Sequence, residues 1–274
     1  MEKLFWLNVQ KIDLLQELLK ELKMELSAVL FDVDGTIAET EEFHRKSFNE
    51  AFKEFNLDWF WDEAIYTELI NVGGGKERIM HHIKRAWPEM LNYKNLSKYV
   101  DSIHKTKNEI YEDYLLESNL KTRPGVIRLI DELKKKSIKI ALVSSTSEIN
   151  LINLFEIGLK IDYKKIFDVV AHGDSTPSKK PSPEIYEWTL EKLRLPPQGC
   201  IAIEDSPRGL EASRAANIST VVTPSLLTNR EDFKGAALII SHLGEPDNPF
   251  QVISGEDFGL KYVNTKLLEK LLDK

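Results

Sequence analysis

The sequence is short of cysteine, of long apolar runs and of surplus positive charge, and each shortage removes a class of protein. Cys200 is the single cysteine, so no intramolecular disulfide can form, which fits a reducing compartment. No apolar run approaches the roughly 20 residues that span a bilayer. Asp and Glu number 44 against 37 Lys and Arg, a formal net charge of −7. That balance gives no electrostatic reason to expect nucleic acid and argues against an anionic membrane surface. Internal repeats and low-complexity tracts are missing as well. A phosphate site in this chain must therefore be a local positive focus in an acidic whole.

What remains is ordinary for a soluble globular protein: 42% hydrophobic and 30% charged residues. The 274 residues suffice for one large domain or two of common size. Near the start, Leu15, Leu18, Leu19 and Leu22 recur at helical spacing between Glu17, Lys20, Glu21 and Lys23. They predict an amphipathic helical extension over residues 1–26, packing on the body or, alternatively, binding a partner. A signal peptide would need an unbroken apolar stretch, and a transit peptide would lack these acids. The expected location is cytoplasmic or plastid stroma, with a monomer compatible and no oligomeric state read.

Further on, short apolar runs alternate with helical patterns. Ala28–Phe31, Ile138–Val143, Phe167–Ala171, Cys200–Ile203 and Thr220–Val222 read as buried strands. Val126–Lys136, Pro183–Leu193 and Arg208–Ala216 read as helices. The alternation predicts an α/β fold, a Rossmann-like parallel sheet core with helices on both faces. Residues 42–121 break the pattern with a helical, strand-free texture and predict an inserted all-helical domain. The α/β core is then formed by residues 27–41 and 122–274. In such sheets, chemistry gathers beyond the carboxyl ends of the strands.

Four strand ends carry reactive side chains. The first ends in Asp32-Val33-Asp34-Gly35-Thr36. An aspartate pair leaving a strand into a glycine turn suits a carboxylate nucleophile with an adjacent general acid. A turn fits the same string; a calcium loop does not, because no Asp or Asn occupies its fifth position and a strand precedes it. The second strand leads into Ser144, Ser145, Thr146 and Ser147, hydroxyls able to cradle phosphate oxygens or to cap a helix. The third is followed by Lys179-Lys180-Pro181, whose lysines can neutralise a phosphoryl oxygen or simply be solvated. The fourth runs into Glu204-Asp205, acids that are costly at a buried strand end unless a cation lies between them. Mg2+ suits such oxygens, with Asp32, the Asp34 carbonyl and Asp205 as ligands and Glu204 close by.

In this order, Asp32 to Thr36, Ser144, Lys180 and Glu204-Asp205, the chain resembles the haloacid dehalogenase superfamily from about Ser27 onward. Its insertion sits where that family carries a helical cap. The strings Gly73-Gly74-Gly75-Lys76-Glu77-Arg78, Lys179-Lys180-Pro181-Ser182-Pro183 and Thr223-Pro224-Ser225 resemble the β-phosphoglucomutase-like branch, and within it the CbbY-type sugar-bisphosphate phosphatases. The resemblance implies Asp32 as a phosphorylated nucleophile and Asp34 as general acid and base. It implies Ser144 and Lys180 as phosphoryl holders, with Ser145 as the alternative hydroxyl. Mg2+ would be held by Asp32, Asp34 and Asp205, with Glu204 as ligand or neighbour. Glu39, His44, Gly74, Gly75, Lys76 and Arg78 are expected to face the cleft, the two cations taking a second, non-reacting phosphate. The implied partner is a small phosphorylated metabolite, xylulose 1,5-bisphosphate as the sharpest expectation. The implied reaction is phosphate hydrolysis, with a sugar phosphomutase as the closest rival because it needs the same residues.

Overall fold

The computed structural model describes residues 25–273. The predicted N-terminal helix, with Leu15 to Leu22, lies outside the described residues.

Among the described residues seven strands form one sheet: β1 (Ala28–Phe31), β2 (Lys139–Val143), β3 (Val169–Ala171), β4 (Cys200–Glu204), β5 (Ser219–Val222), β6 (Leu238–Ile240) and β7 (Val252–Gly255). Their order is β3-β2-β1-β4-β5-β6-β7. All neighbours pair in parallel except the hairpin-like β6–β7 edge, which is antiparallel. The five predicted strands are all present. β6, β7 and a C-terminal helix were outside the predicted set. β7 is exposed along its whole length and carries no buried-strand signature, whereas β6 is a short buried apolar run that sequence reasoning missed.

Nine α-helices accompany the sheet among the described residues: α1 (Glu41–Glu54), α2 (Glu63–Leu69), α3 (Gly75–Ala86), α4 (Leu96–Glu117), α5 (Val126–Lys135), α6 (Glu148–Ile152), α7 (Glu184–Leu193), α8 (Pro207–Ala215) and α9 (Thr265–Leu272). None is long and apolar enough to cross a membrane. The side-chain period of two sorts each strand into two faces. On one face Val29, Phe31, Ile140, Leu142, Ile201 and Ile203 pack with Leu129 and Leu133 of α5 and Leu267 and Leu268 of α9. On the other, Ala28, Leu30, Ala141, Cys200 and Ala202 are mostly small, and Ile185, Tyr186 and Leu190 of α7 with Ala212 of α8 fill that space. Both faces are therefore dry, as a parallel sheet requires.

Helices α1 to α4 have their own core. Phe48, Phe52, Trp59, Trp61, Tyr66, Ile79, Ile83 and Ile103 form a separate buried cluster rich in ring contacts. The chain enters this helical body through Thr36–Thr40 and leaves it before Pro124. Arg123 ties that exit to the sheet. Its guanidinium donates to the carbonyls of Gly35, Thr223 (2.7 Å), Pro224 (2.8 Å) and Ser241 (3.1 Å).

Candidate active site

β1, β2 and β4 end side by side, which brings the reactive side chains to one place. Asp32 leaves β1, Ser144 follows β2, and Glu204 and Asp205 close β4. Gly35 makes the turn after Asp34 possible: its φ is +82°, and an added Cβ would overlap the Asp205 carboxylate. Ser206 caps α8, accepting from Gly209 N at 3.2 Å, with Pro207 in the first turn. This cap stops β4 abruptly and leaves Asp205 at the sheet edge.

Lys180 organises the floor. Its ammonium gives its protons to Asp32 Oδ1 (2.8 Å), the Val143 carbonyl (2.7 Å) and Glu204 Oε1 (2.6 Å). Burial works against that charge, yet Asp32 and Glu204 outweigh it and hold the Lys180 pKa above its ordinary value. The solvated-lysine alternative therefore falls for Lys180. It survives in part for Lys179, whose Nζ lies 3.1 Å from Glu77 of α3.

Asp32, Glu204 and Asp205 each bring one oxygen within 4.8 Å of the others, and all three are buried. Burial drives Asp32 up to about 7, against the pull of Lys180. Burial, with Asp32 alongside, pushes Asp205 well above the usual carboxylate range. Glu204 Oε2 is buried with no hydrogen-bond partner among the described residues. The cluster is short of positive charge and offers only hard oxygen donors, so these residues fit a divalent cation such as Mg2+.

Asp34 behaves differently. Burial alone would raise it, but His44 Nε2 (3.3 Å) and Thr40 Oγ1 (2.5 Å) both hydrogen-bond Oδ1 and hold its carboxyl well below the usual range. Lys107 of α4 donates to His44 Nδ1 at 2.6 Å. A neutral His44 accepting there carries its proton on Nε2 and directs it at Asp34.

A cavity of about 610 Å³ opens above this floor, lined on one side by Asp32, Asp34, Ser144, Ser145, Lys180 and Asp205. From the helical body come Glu41, His44, Gly74, Gly75, Lys76, Arg78, His104 and Lys107. Ser144 Oγ accepts from Thr146 N (3.0 Å), whereas Ser145 Oγ is buried without a partner among the described residues. Lys76 reaches Asp101 at 2.5 Å. Arg78 is buried against Tyr66 Oη (2.7 Å), the Val72 carbonyl (3.0 Å) and Glu41 (3.3 Å).

One predicted cleft residue is placed elsewhere. Glu39 does not line the cavity; it lies 3.2 Å from Arg123 Nε and accepts from Leu226 N at 3.4 Å. The reason is local. α1 begins at Glu41, so the first helical turn presents Glu41 and His44 to the cavity, while Glu39 belongs to the preceding linker. Asp34 also stands apart from the cation cluster in its side chain, which is engaged by Thr40 and His44. Sequence reasoning missed Glu41, Tyr66, His104, Lys107, Tyr186 and Arg208. Glu41 alone carried a signal, as an acid opening a helix that also bears His44.

Reactive groups at the carboxyl ends of parallel strands, under a helical insertion entered after β1, define the class. The chain belongs to the haloacid dehalogenase-like hydrolase family, which matches residues 29–223. Within it the chain is similar to protein CbbY of Cupriavidus necator, at 41% identity over 224 residues, 82% of this chain and 88% of that one. It is also similar to the crystal structure of a CbbY mutant from Rhodobacter sphaeroides in complex with xylulose-1,5-bisphosphate. That comparison gives TM-score 0.71 and 38% identity over 78% of this chain and 93% of the other. The structure of β-phosphoglucomutase from Clostridium difficile follows with TM-score 0.66 and 25% identity, over 79% and 91%. The chain is an enzyme, a phosphatase of this family.

Proposed function

We propose that this chain is a Mg2+-dependent phosphatase that removes phosphate from a small phosphorylated sugar through a phosphoryl ester on Asp32, with xylulose 1,5-bisphosphate as its substrate. The observation that carries the reading is the Lys180–Asp32 contact of 2.8 Å on the floor of a cavity whose far side is built by the helical body. Lys76 and Arg78, each beside an acid, and Lys107 line that far side and are the groups a second phosphate would meet. The identity of the sugar rests on the similarity to CbbY, crystallised with that ligand.

Asp32 Oδ2, the oxygen not held by Lys180, attacks phosphorus in line as the bond to the sugar oxygen breaks. Asp34 gives that oxygen a proton. His44 and Thr40 hold its carboxyl low, and an arriving phosphate dianion pushes it upward by like-charge repulsion. In the second step Asp34 takes a proton from water, water oxygen bonds phosphorus, and Asp32 leaves as carboxylate. Lys180 offsets negative charge on the phosphoryl group throughout, and Ser145 Oγ has a free proton for one of its oxygens. Asp32, Asp205 and the Asp34 carbonyl, with Glu204 beside them, would hold Mg2+, which would supply Lewis-acid charge to the phosphoryl group.

A phosphomutase would use the same residues and return the phosphate to sugar, and the similarity to β-phosphoglucomutase favours testing it. Incubation with a panel of sugar mono- and bisphosphates, reading free phosphate and sugar products, decides between them. Phosphate release led by ketose bisphosphates is expected, and Asp32→Asn should abolish it. An isomeric sugar phosphate without free phosphate would make the chain a mutase. A preference for monophosphates would remove the two-phosphate cavity.

A further inference from the structure

Beneath the reactive floor lies a hydroxyl that the mechanism above does not use. Tyr186 of α7 is completely buried, and its hydroxyl donates to Glu204 Oε1. The same oxygen accepts from Lys180 at 2.6 Å. The other carboxylate oxygen, Glu204 Oε2, is buried with no partner among the described residues and sits against Gly209, where an added Cβ would overlap it.

We infer that Tyr186 is a positioning residue for the cation site: its hydroxyl fixes the Glu204 carboxylate so that Oε1 stays with Lys180 and Oε2 stays free for Mg2+ or its bound water. The inference rests on the Mg2+ reading of the Asp32, Glu204 and Asp205 cluster. Its physical basis is a shortage of donors. A carboxylate offers about four lone-pair sites, and Glu204 is 0% exposed, so bulk water reaches none of them. Lys180 has three protons, and two are already given to Asp32 and to the Val143 carbonyl. It can therefore satisfy one site on Glu204 and no more. The last torsion of a glutamate is broad and close to two-fold, so a single donor holds either oxygen almost equally well. A second donor on the same oxygen removes that degeneracy. The Tyr186 hydroxyl is that donor, and Gly209 provides the room for the other oxygen.

The ring has a separate task that the hydroxyl does not share. Lys180 Nζ lies 5.3 Å from the Tyr186 ring centroid, a cation–π contact that phenylalanine keeps. Tyr186→Phe thus deletes the donation to Glu204 and little else. Partners that orient metal-binding groups typically govern affinity by about 10–100-fold.

The test is calorimetric titration of Mg2+ into the full chain, stripped of metal with chelator and without substrate. Tyr186→Phe should raise the Mg2+ Kd by about 10-fold or more. In a Glu204→Gln background the same change should add nothing, because the group it orients has already lost its charge. A hydroxyl that merely stabilises the fold would lower the melting temperature of metal-free and metal-loaded protein alike and leave Kd at the wild-type value. That result overturns the inference while leaving the Mg2+ site intact. A wild-type chain that takes up no Mg2+ overturns both. If Tyr186→Phe fails to fold, 3-fluorotyrosine placed at position 186 serves instead. Its fluorine resonance should move saturably with Mg2+, and a resonance that does not move sinks the inference.

Discussion

Replacing Lys180 by methionine isolates the electrostatics of the site. Methionine keeps most of the apolar stem and removes the charge with three hydrogen bonds, to Asp32 (2.8 Å), Val143 (2.7 Å) and Glu204 (2.6 Å). The residue is 4% exposed, so water does not replace it. Removing one partner of a buried ion pair costs about 3–5 kcal/mol, because the remaining charge is left uncompensated. At roughly 2–4 °C per kcal/mol for a chain of this size, Lys180→Met should melt about 6–20 °C lower without metal. Mg2+ should restore part of the loss, about 2.7 kcal/mol at a hundred-fold excess over Kd. With the neighbouring ammonium gone, the carboxylates should bind Mg2+ more tightly than in the wild type even as turnover disappears. Urea unfolding in chelator and in excess Mg2+, for both chains, measures each quantity. A Lys180→Met chain as stable as wild type in chelator would refute the picture of an undercharged carboxylate cluster held by one lysine.

Gly35→Ala should be destabilising by roughly 2–4 kcal/mol, combining the left-handed backbone at φ +82° with overlap of the new methyl and Asp205; an unchanged urea midpoint would contradict this. His104 supplies a pH prediction. Burial, then Lys107, Lys76 and Lys179 nearby, depress its pKa to about 3. The unfolded chain takes its proton near pH 6.5 and the folded chain does not, so this stabilisation is complete above pH 6.5 and is lost as pH falls towards 3. His104→Gln should therefore flatten the acid slope of stability between pH 6.5 and 4 by up to about 1.4 kcal/mol per unit. Parallel slopes for the two chains would show that His104 does not titrate as described.

The sheet and its reactive rim were readable because each signal was local. Asp32 and Asp34 sit two residues apart at the end of an apolar run, and Glu204 and Asp205 directly follow another. Strand-end placement needs no knowledge of distant sequence. The helical wall of the cavity was less readable, for the opposite reason. Arg78 finds its partners at Glu41 and Tyr66, and Lys107 finds His44 across 63 positions. Nothing in local spacing announces those pairings. Lys76 and Arg78, expected to take a second phosphate, line the cavity with acidic partners, Asp101 and Glu41, that local spacing does not announce. Glu39 shows the sensitivity to phase: a helix that starts two residues later turns a different acid inward.

Arg123 has a mechanical consequence. It clamps the returning linker to four carbonyl groups of the sheet domain, one of them Gly35, beside the reactive aspartates. Force passing down the returning linker would meet that guanidinium before it reached the turn after Asp34.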